Sequence, residues 1–211
     1  PNASTDYNGI NVSSYAGKSL ACSFSQPDGS RLWWTCKQDL TDKADSVIFY
    51  ITTNKLNKSG SNGLLKSVDT LSSSIVRYKW VANNPIDYYL ISFAVGPYDV
   101  NETYAPLHNG QDSVLIYSLL VNSSTHYPFH LMVIEKTKVL MNLFSNLICD
   151  YPFKDEKYGY SICSNTYGAM EHQTMTTIGA FSMDTTAVDI GAYNFWYTAH
   201  ELGHQWFGNY V

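Results

Sequence analysis

Over the first hundred residues the apolar positions come in short runs and never settle into a 3.6-residue period. SVIFYITT (46–53), SIVRYKWV (74–81) and DYYLISFAVG (87–96) are rich in β-branched and aromatic residues and predict strands. Turn-forming stretches separate them: Pro27-Asp28-Gly29, the run from Ser59 to Gly63, and Asn83-Asn84-Pro85. SVLIYSLLV (113–121) predicts a further strand, after a loop read in YAPLHNGQD (104–112).

The pattern then changes. From His130 to Ile148 apolar residues fall at 133, 134, 140, 143, 144, 147 and 148, which is helical spacing. YGYSICSN (158–165) alternates like a strand. Asn194 to Asn209 predicts a second helix, with Asn194 as N-cap and Gly208-Asn209 as its stop. The fold class expected is α+β: a mainly antiparallel β part over 1–108, then a mixed part over 109–211. No internal repeat or low-complexity segment interrupts this order.

Composition narrows the function classes. Of 211 residues 45% are hydrophobic and 15% charged, which supports a packed core and argues against disorder. The formal net charge is -5 and there is no long basic run, so neither nucleic acid nor an anionic membrane is an expected partner. No apolar run approaches the roughly 20 residues of a membrane span. The first residues do not read as a signal peptide, and the compartment stays open between cytoplasmic and extracytoplasmic. Cys22, Cys36, Cys149 and Cys163 form no CxxC pair and read as free buried thiols; if they pair, three connectivities are possible. Sequons occur at Asn2, Asn11, Asn57, Asn101 and Asn122.

The candidate chemistry lies in HELGHQWFGN (200–209). On a helix, His200 and His204 share a face and can aim ring nitrogens at one zinc ion. Glu201 is offset, so it can reach a water on the metal rather than the metal itself. Zinc lowers the pKa of such a water toward about 7, and the carboxylate accepts its proton. Apolar flanks, NFWYTA before and QWF after, predict that this helix is buried, histidines included.

HELGHQWFGN resembles the zinc helix of the aminopeptidase N family of gluzincin metallopeptidases. GAMEH (168–172) resembles that family's G-A-M-E-N exopeptidase motif, and YPFKDEKYGYSI resembles the approach to it. RLWWTCKQDLTDKAD (31–45) is similar to a further family segment, and WVANNPIDYYLISFAVGPY (80–98) resembles the end of the family's N-terminal domain. The resemblance spans residues 22–211. It implies that 1–108 is the C-terminal part of a β-rich N-terminal domain, incomplete at its start. It implies that 109–211 is the first part of a thermolysin-like zinc peptidase domain.

Residue by residue, the resemblance makes His200 and His204 zinc ligands and Glu201 the general base. Glu171 would hold the free α-amino group of a peptide substrate, with Gln26 as a second contact from the N-terminal domain. Gly168, Ala169 and Met170 would line the substrate backbone. The sequence departs from the family at His172, in place of Asn, and at Gln38 and Leu40, in place of Asp and Pro. The family's third zinc ligand, a glutamate, would fall nineteen residues beyond His204, at position 223, and its transition-state tyrosine later still. The expectation is therefore low zinc occupancy and little activity in these 211 residues alone. A thermolysin-like endopeptidase, an epoxide hydrolase with aminopeptidase activity and a non-catalytic binding module are the alternatives. Gln26, beside Pro27-Asp28-Gly29, also reads as a plain turn residue. Met170, Met175 and Met183 read as packing, and His108, His126, His130 and His172 as surface or loop residues.

Overall fold

A computed structural model describes residues 9–163, 168–180 and 192–211, with side chains of the last segment from Trp196 onward. The sequon at Asn2, the end of the 158–165 run, Met183 and the side chain of Asn194 lie outside the described residues.

Among the described residues twelve strands form three sheets. The first is antiparallel, in the order β1 (Gly9–Tyr15), β2 (Lys18–Phe24), β7 (Phe93–Gly96), β4 (Lys58–Ser61). The second is a three-stranded antiparallel sheet of β3 (Val47–Asn54), β6 (Ile75–Ala82) and β5 (Leu64–Thr70). The third is mixed. Its order is β11 (Ala169–Met170), β12 (Thr176–Ile178), β10 (Tyr158–Ile162), β9 (Asp112–Leu120), β8 (Asp99–Leu107). Among the described strands only β9–β10 and β10–β12 are parallel, so the described fold is mainly antiparallel, with two long helices. The helices are α1 (Tyr127–Leu147) and α2 (Ala192–Gly203).

The three sheets meet at Trp80. Its ring stands edge-on to Tyr117 of β9 at 5.2 Å, and its indole N–H donates to Ser59 Oγ of β4 at 3.0 Å. Tyr117 donates to the carbonyl of the same Ser59 at 3.2 Å. Trp80 is 1% exposed, so both indole contacts are made out of water, where an unpaired N–H would be costly. The surrounding core joins residues of all three sheets with Val133, Ile134, Leu140 and Met141 of α1 and Leu202 of α2.

Several elements differ from the sequence reading. The 87–96 run is not one strand: Tyr88–Leu90 form a 3₁₀ turn before β7. Tyr88, Tyr89 and Leu90 are all buried in this turn. The 104–112 loop is shorter than expected, because β8 runs to Leu107 and β9 begins at Asp112. Only the turn at its end remains, where His108, Asn109 and Gly110 all have positive φ. The division at 108/109 falls in this turn, between two strands of one sheet. Helix α1 begins earlier than expected, with Pro128 in its first turn, where the missing N–H costs nothing. Asn194 lies inside α2 rather than capping it, and the α-helix ends at Gly203 rather than at Gly208-Asn209; a π-helical segment over Gln205–Tyr210 follows, irregular at Phe207 and Gly208.

The cysteines are not all free. Cys22 of β2 and Cys163, just after β10, are joined in a disulfide that ties the first sheet to the third across a sequence separation of 141. Cys36 and Cys149 are free, and neither is buried. Among the described residues no helix is long and apolar enough to cross a membrane.

Candidate metal centre and amine site

Helix α2 carries His200, Glu201 and Leu202 on successive rows, and His204 follows one turn on. The burial expected for the whole motif holds for one side only. Thr198, Glu201, Leu202, Gln205 and Trp206 are buried, whereas Trp196 and His200 are exposed and His204 is half-buried. The histidines lie on the open side because the core claims Leu202 and Trp206. Trp206 packs against Phe144 and Tyr151 and donates to the carbonyls of Cys149 and Asp150, both at 3.1 Å.

The two imidazoles face each other, with Nε2 atoms 3.1 Å apart. His204 Nδ1 lies 3.2 Å from the carbonyl oxygen of Phe207, which can only accept, so this nitrogen carries the proton and Nε2 presents a lone pair. His200 stacks on Trp196 at 5.0 Å. Its pKa is lowered, first by burial and then by His204, with Glu171 opposing. Nitrogens 3.1 Å apart suit two donors each about 2.0–2.1 Å from a shared zinc. Among the described residues no group of three or more His, Cys, Asp and Glu side chains converges on one point, so the third donor expected of a catalytic zinc is not among them.

Glu201 is 4% exposed and its Oε2 has no hydrogen-bond partner among the described residues. Burial, and then the charge of Glu171, push its pKa up to about 8. A carboxylate held in this way suits proton transfer near neutral pH.

Glu171 stands at the exit of the short edge strand β11, with Ala169 paired to Ile178 and Met170 to Thr177. Gly168 has φ 106°, a conformation open to glycine, and its carbonyl accepts the Gly179 N–H at 2.9 Å. Met170 is buried against Ile86, Tyr88 and Tyr89, in keeping with a packing role. Glu171 is half-buried, and the phenol of Tyr89 is pushed up to about 12 by burial and then by Glu171. Glu171 thus lies within electrostatic reach of His200 and Glu201.

Gln26 is exposed and opens a β-turn closed by the Gly29 N–H on its carbonyl at 2.9 Å. Its strand still approaches the site, since Phe24 stands edge-on to His172 with ring centroids 6.4 Å apart. His172 is a correction to the surface reading. It is fully buried, with Nδ1 2.8 Å from Thr177 Oγ1, and burial lowers its pKa to about 3. His130, on α1, is fully buried as well. Gln38 donates to the Pro27 carbonyl at 2.7 Å, and Leu40 is exposed.

Sequence reasoning passed over Gln205, Asn209, Thr174, Lys157 and Lys43, all of which grip this region. The signal for the first two lay inside the motif itself, as polar residues among QWFGN. For the others the partner is distant in sequence and no local pattern points to it.

No protein-family model and no curated protein matches the sequence. Solved structures do. An M1 zinc metallopeptidase from Deinococcus radiodurans superposes with a TM-score of 0.71 at 23% identity, over 90% of this chain and 40% of that one. A mutant of a two-domain M1 zinc metallopeptidase bound to L-arginine superposes with a TM-score of 0.75 at 22% identity, over 100% of this chain and 45% of that one. The likeness is one of fold, and the chain spans less than half the length of these structures.

Proposed function

We propose that the chain is part of a zinc-dependent aminopeptidase. The observation that carries this reading is the convergence of His200 and His204 Nε2 beside a buried Glu201, with the Glu171 carboxylate close by. His200 and His204 would hold zinc, which when bound lowers the pKa of water toward about 7 and polarises a peptide carbonyl.

Glu201 accepts the water's proton and passes it to the departing amine. Its pKa is raised first by burial and then by Glu171, so a nearby cation favours the ionised form needed for that first step. Glu171 pairs with the substrate's α-ammonium, a charge that only a chain terminus presents at that position. The peptide backbone lies along Gly168, Ala169 and Met170 at the free edge of β11, and Gln26 gives a second contact to the amine. Peptides with a free N-terminus are the substrates. The third metal ligand and an oxyanion donor would come from outside the described residues.

Hydrolysis of amino-acid anilides by the full natural chain tests the reading. Turnover should need zinc, spare N-acetylated anilides, and vanish in Glu201→Gln with zinc content retained. Cleavage of blocked peptides at internal bonds would point instead to an endopeptidase.

A further inference from the structure

The loop from Glu171 to Thr174 is held from two sides. The β-rich side grips its far end. Asn62 Nδ2 donates to the Gln173 carbonyl at 2.5 Å, the Gly63 N–H donates to Thr174 Oγ1 at 2.8 Å, and Gln173 Nε2 donates to the Pro85 carbonyl at 3.1 Å. Lys157 Nζ donates to the Thr174 carbonyl at 2.9 Å. Thr174 itself sits at φ 60°, a left-handed conformation that is unfavourable for an L-residue and persists only where several contacts impose it.

The side facing α2 is held by two carboxamides. Asn209 Nδ2 and Gln205 Nε2 both donate to the carbonyl oxygen of Glu171, at 2.8 and 3.3 Å. Gln205 Oε1 also accepts the Thr174 N–H at 2.9 Å, so one side chain spans the loop from end to end. Gln205 directly follows His204, and the Asn209 N–H reaches back to the His204 carbonyl at 3.1 Å. Asn209's own carbonyl accepts Lys43 Nζ at 2.7 Å, and Lys43 pairs with Asp87 at 3.6 Å. One short wound segment therefore carries a candidate metal donor and both amide hooks.

We infer that Gln205 and Asn209 are positioning residues that fix the Glu171 carboxylate at a set distance from the His200–His204 pair, and so define how far a free amine can enter. The inference rests on the aminopeptidase reading. Neither amide touches the Glu171 carboxylate; both act through its backbone oxygen. Loosening them should weaken recognition of the amine before it affects the metal. A displacement of about 1 Å at such a distance can cost on the order of a hundredfold.

The test uses the full natural chain loaded with zinc, with leucine anilide and its N-acetyl counterpart as probes. Asn209→Asp keeps the shape and removes the donor; Gln205→Met removes both halves of the bridge. Each should raise KM for the free-amine probe about tenfold to a hundredfold and shrink the preference over the acetylated probe, with zinc content unchanged. Each is also made in a Glu171→Gln background, where the amide changes should have little left to remove. Unchanged KM, an equal loss on both probes, or additive losses in that background would overturn the inference and leave the aminopeptidase reading standing. If one variant is insoluble, the other decides by the same cycle. A full-length wild type that hydrolyses no anilide overturns the reading and the inference together.

Discussion

The ammonium group of Lys157 donates to the carbonyl oxygens of Thr174 and Ser61, both at 2.9 Å. Lys157 is fully buried, with Nζ 5.5 Å from the centre of the Trp80 ring. It joins β4 of the first sheet to the loop that follows Glu171, and so couples the strand-rich part to the candidate site.

That burial predicts a pH dependence. Folding lowers the Lys157 pKa from 10.5 to about 7, first by desolvation, with Glu156 opposing. Between these values the unfolded chain holds a proton that the folded chain has released. The contribution of Lys157 to stability therefore rises with pH across this window, and below pH 7 the penalty for burying the charge is at full size. The denaturation midpoint of wild type relative to Lys157→Met should climb between about pH 7 and 9.5. A difference that stays level or falls would refute the assignment.

Gly63 should be among the least replaceable residues. Its φ is 70°, and a Cβ there would lie 2.0 Å from the Val81 carbonyl oxygen. Gly63→Ala must move a strand of the second sheet and loosen the Gly63–Thr174 hydrogen bond, at a cost of about 3–5 kcal/mol. Gly17, with φ 76° and open space around its Cβ, is the control. Gly17→Ala should lose only about 1 kcal/mol in a chemical denaturation series.

The disulfide makes a third prediction. Denatured but unreduced protein should present two thiols to an alkylating reagent, Cys36 and Cys149, and four after reduction. Cys22→Ser should lower stability by about 2–5 kcal/mol, because the bridge closes a very long loop in the unfolded chain. Four reactive thiols without reductant would remove the bridge from the fold.

Where the sequence was informative, residue type and local spacing agreed. The β-branched and aromatic runs became β3, β6 and β9, and the apolar period after His130 became α1. Strands β4 (KSGS) and β5 (LLKSVDT) carry little strand propensity and exist because neighbours supply their hydrogen bonds. The same limit applied at the candidate site. Two histidines and a glutamate can be read from spacing on one helix. That His200 is exposed while Glu201 is buried follows from which face Leu202 and Trp206 claim, a tertiary fact. His172 and His130 looked like surface residues because a lone histidine gives no local sign of the partners that bury it.

The Cys22–Cys163 bridge closes a covalent ring that contains the whole second sheet and α1. The tip of the β5–β6 hairpin, from Leu71 to Ser74, is exposed and lies within that ring. A protease that cuts once at this tip opens the ring into a line without releasing a fragment. The cut protein should migrate as one species on a non-reducing gel and as two once reductant is added.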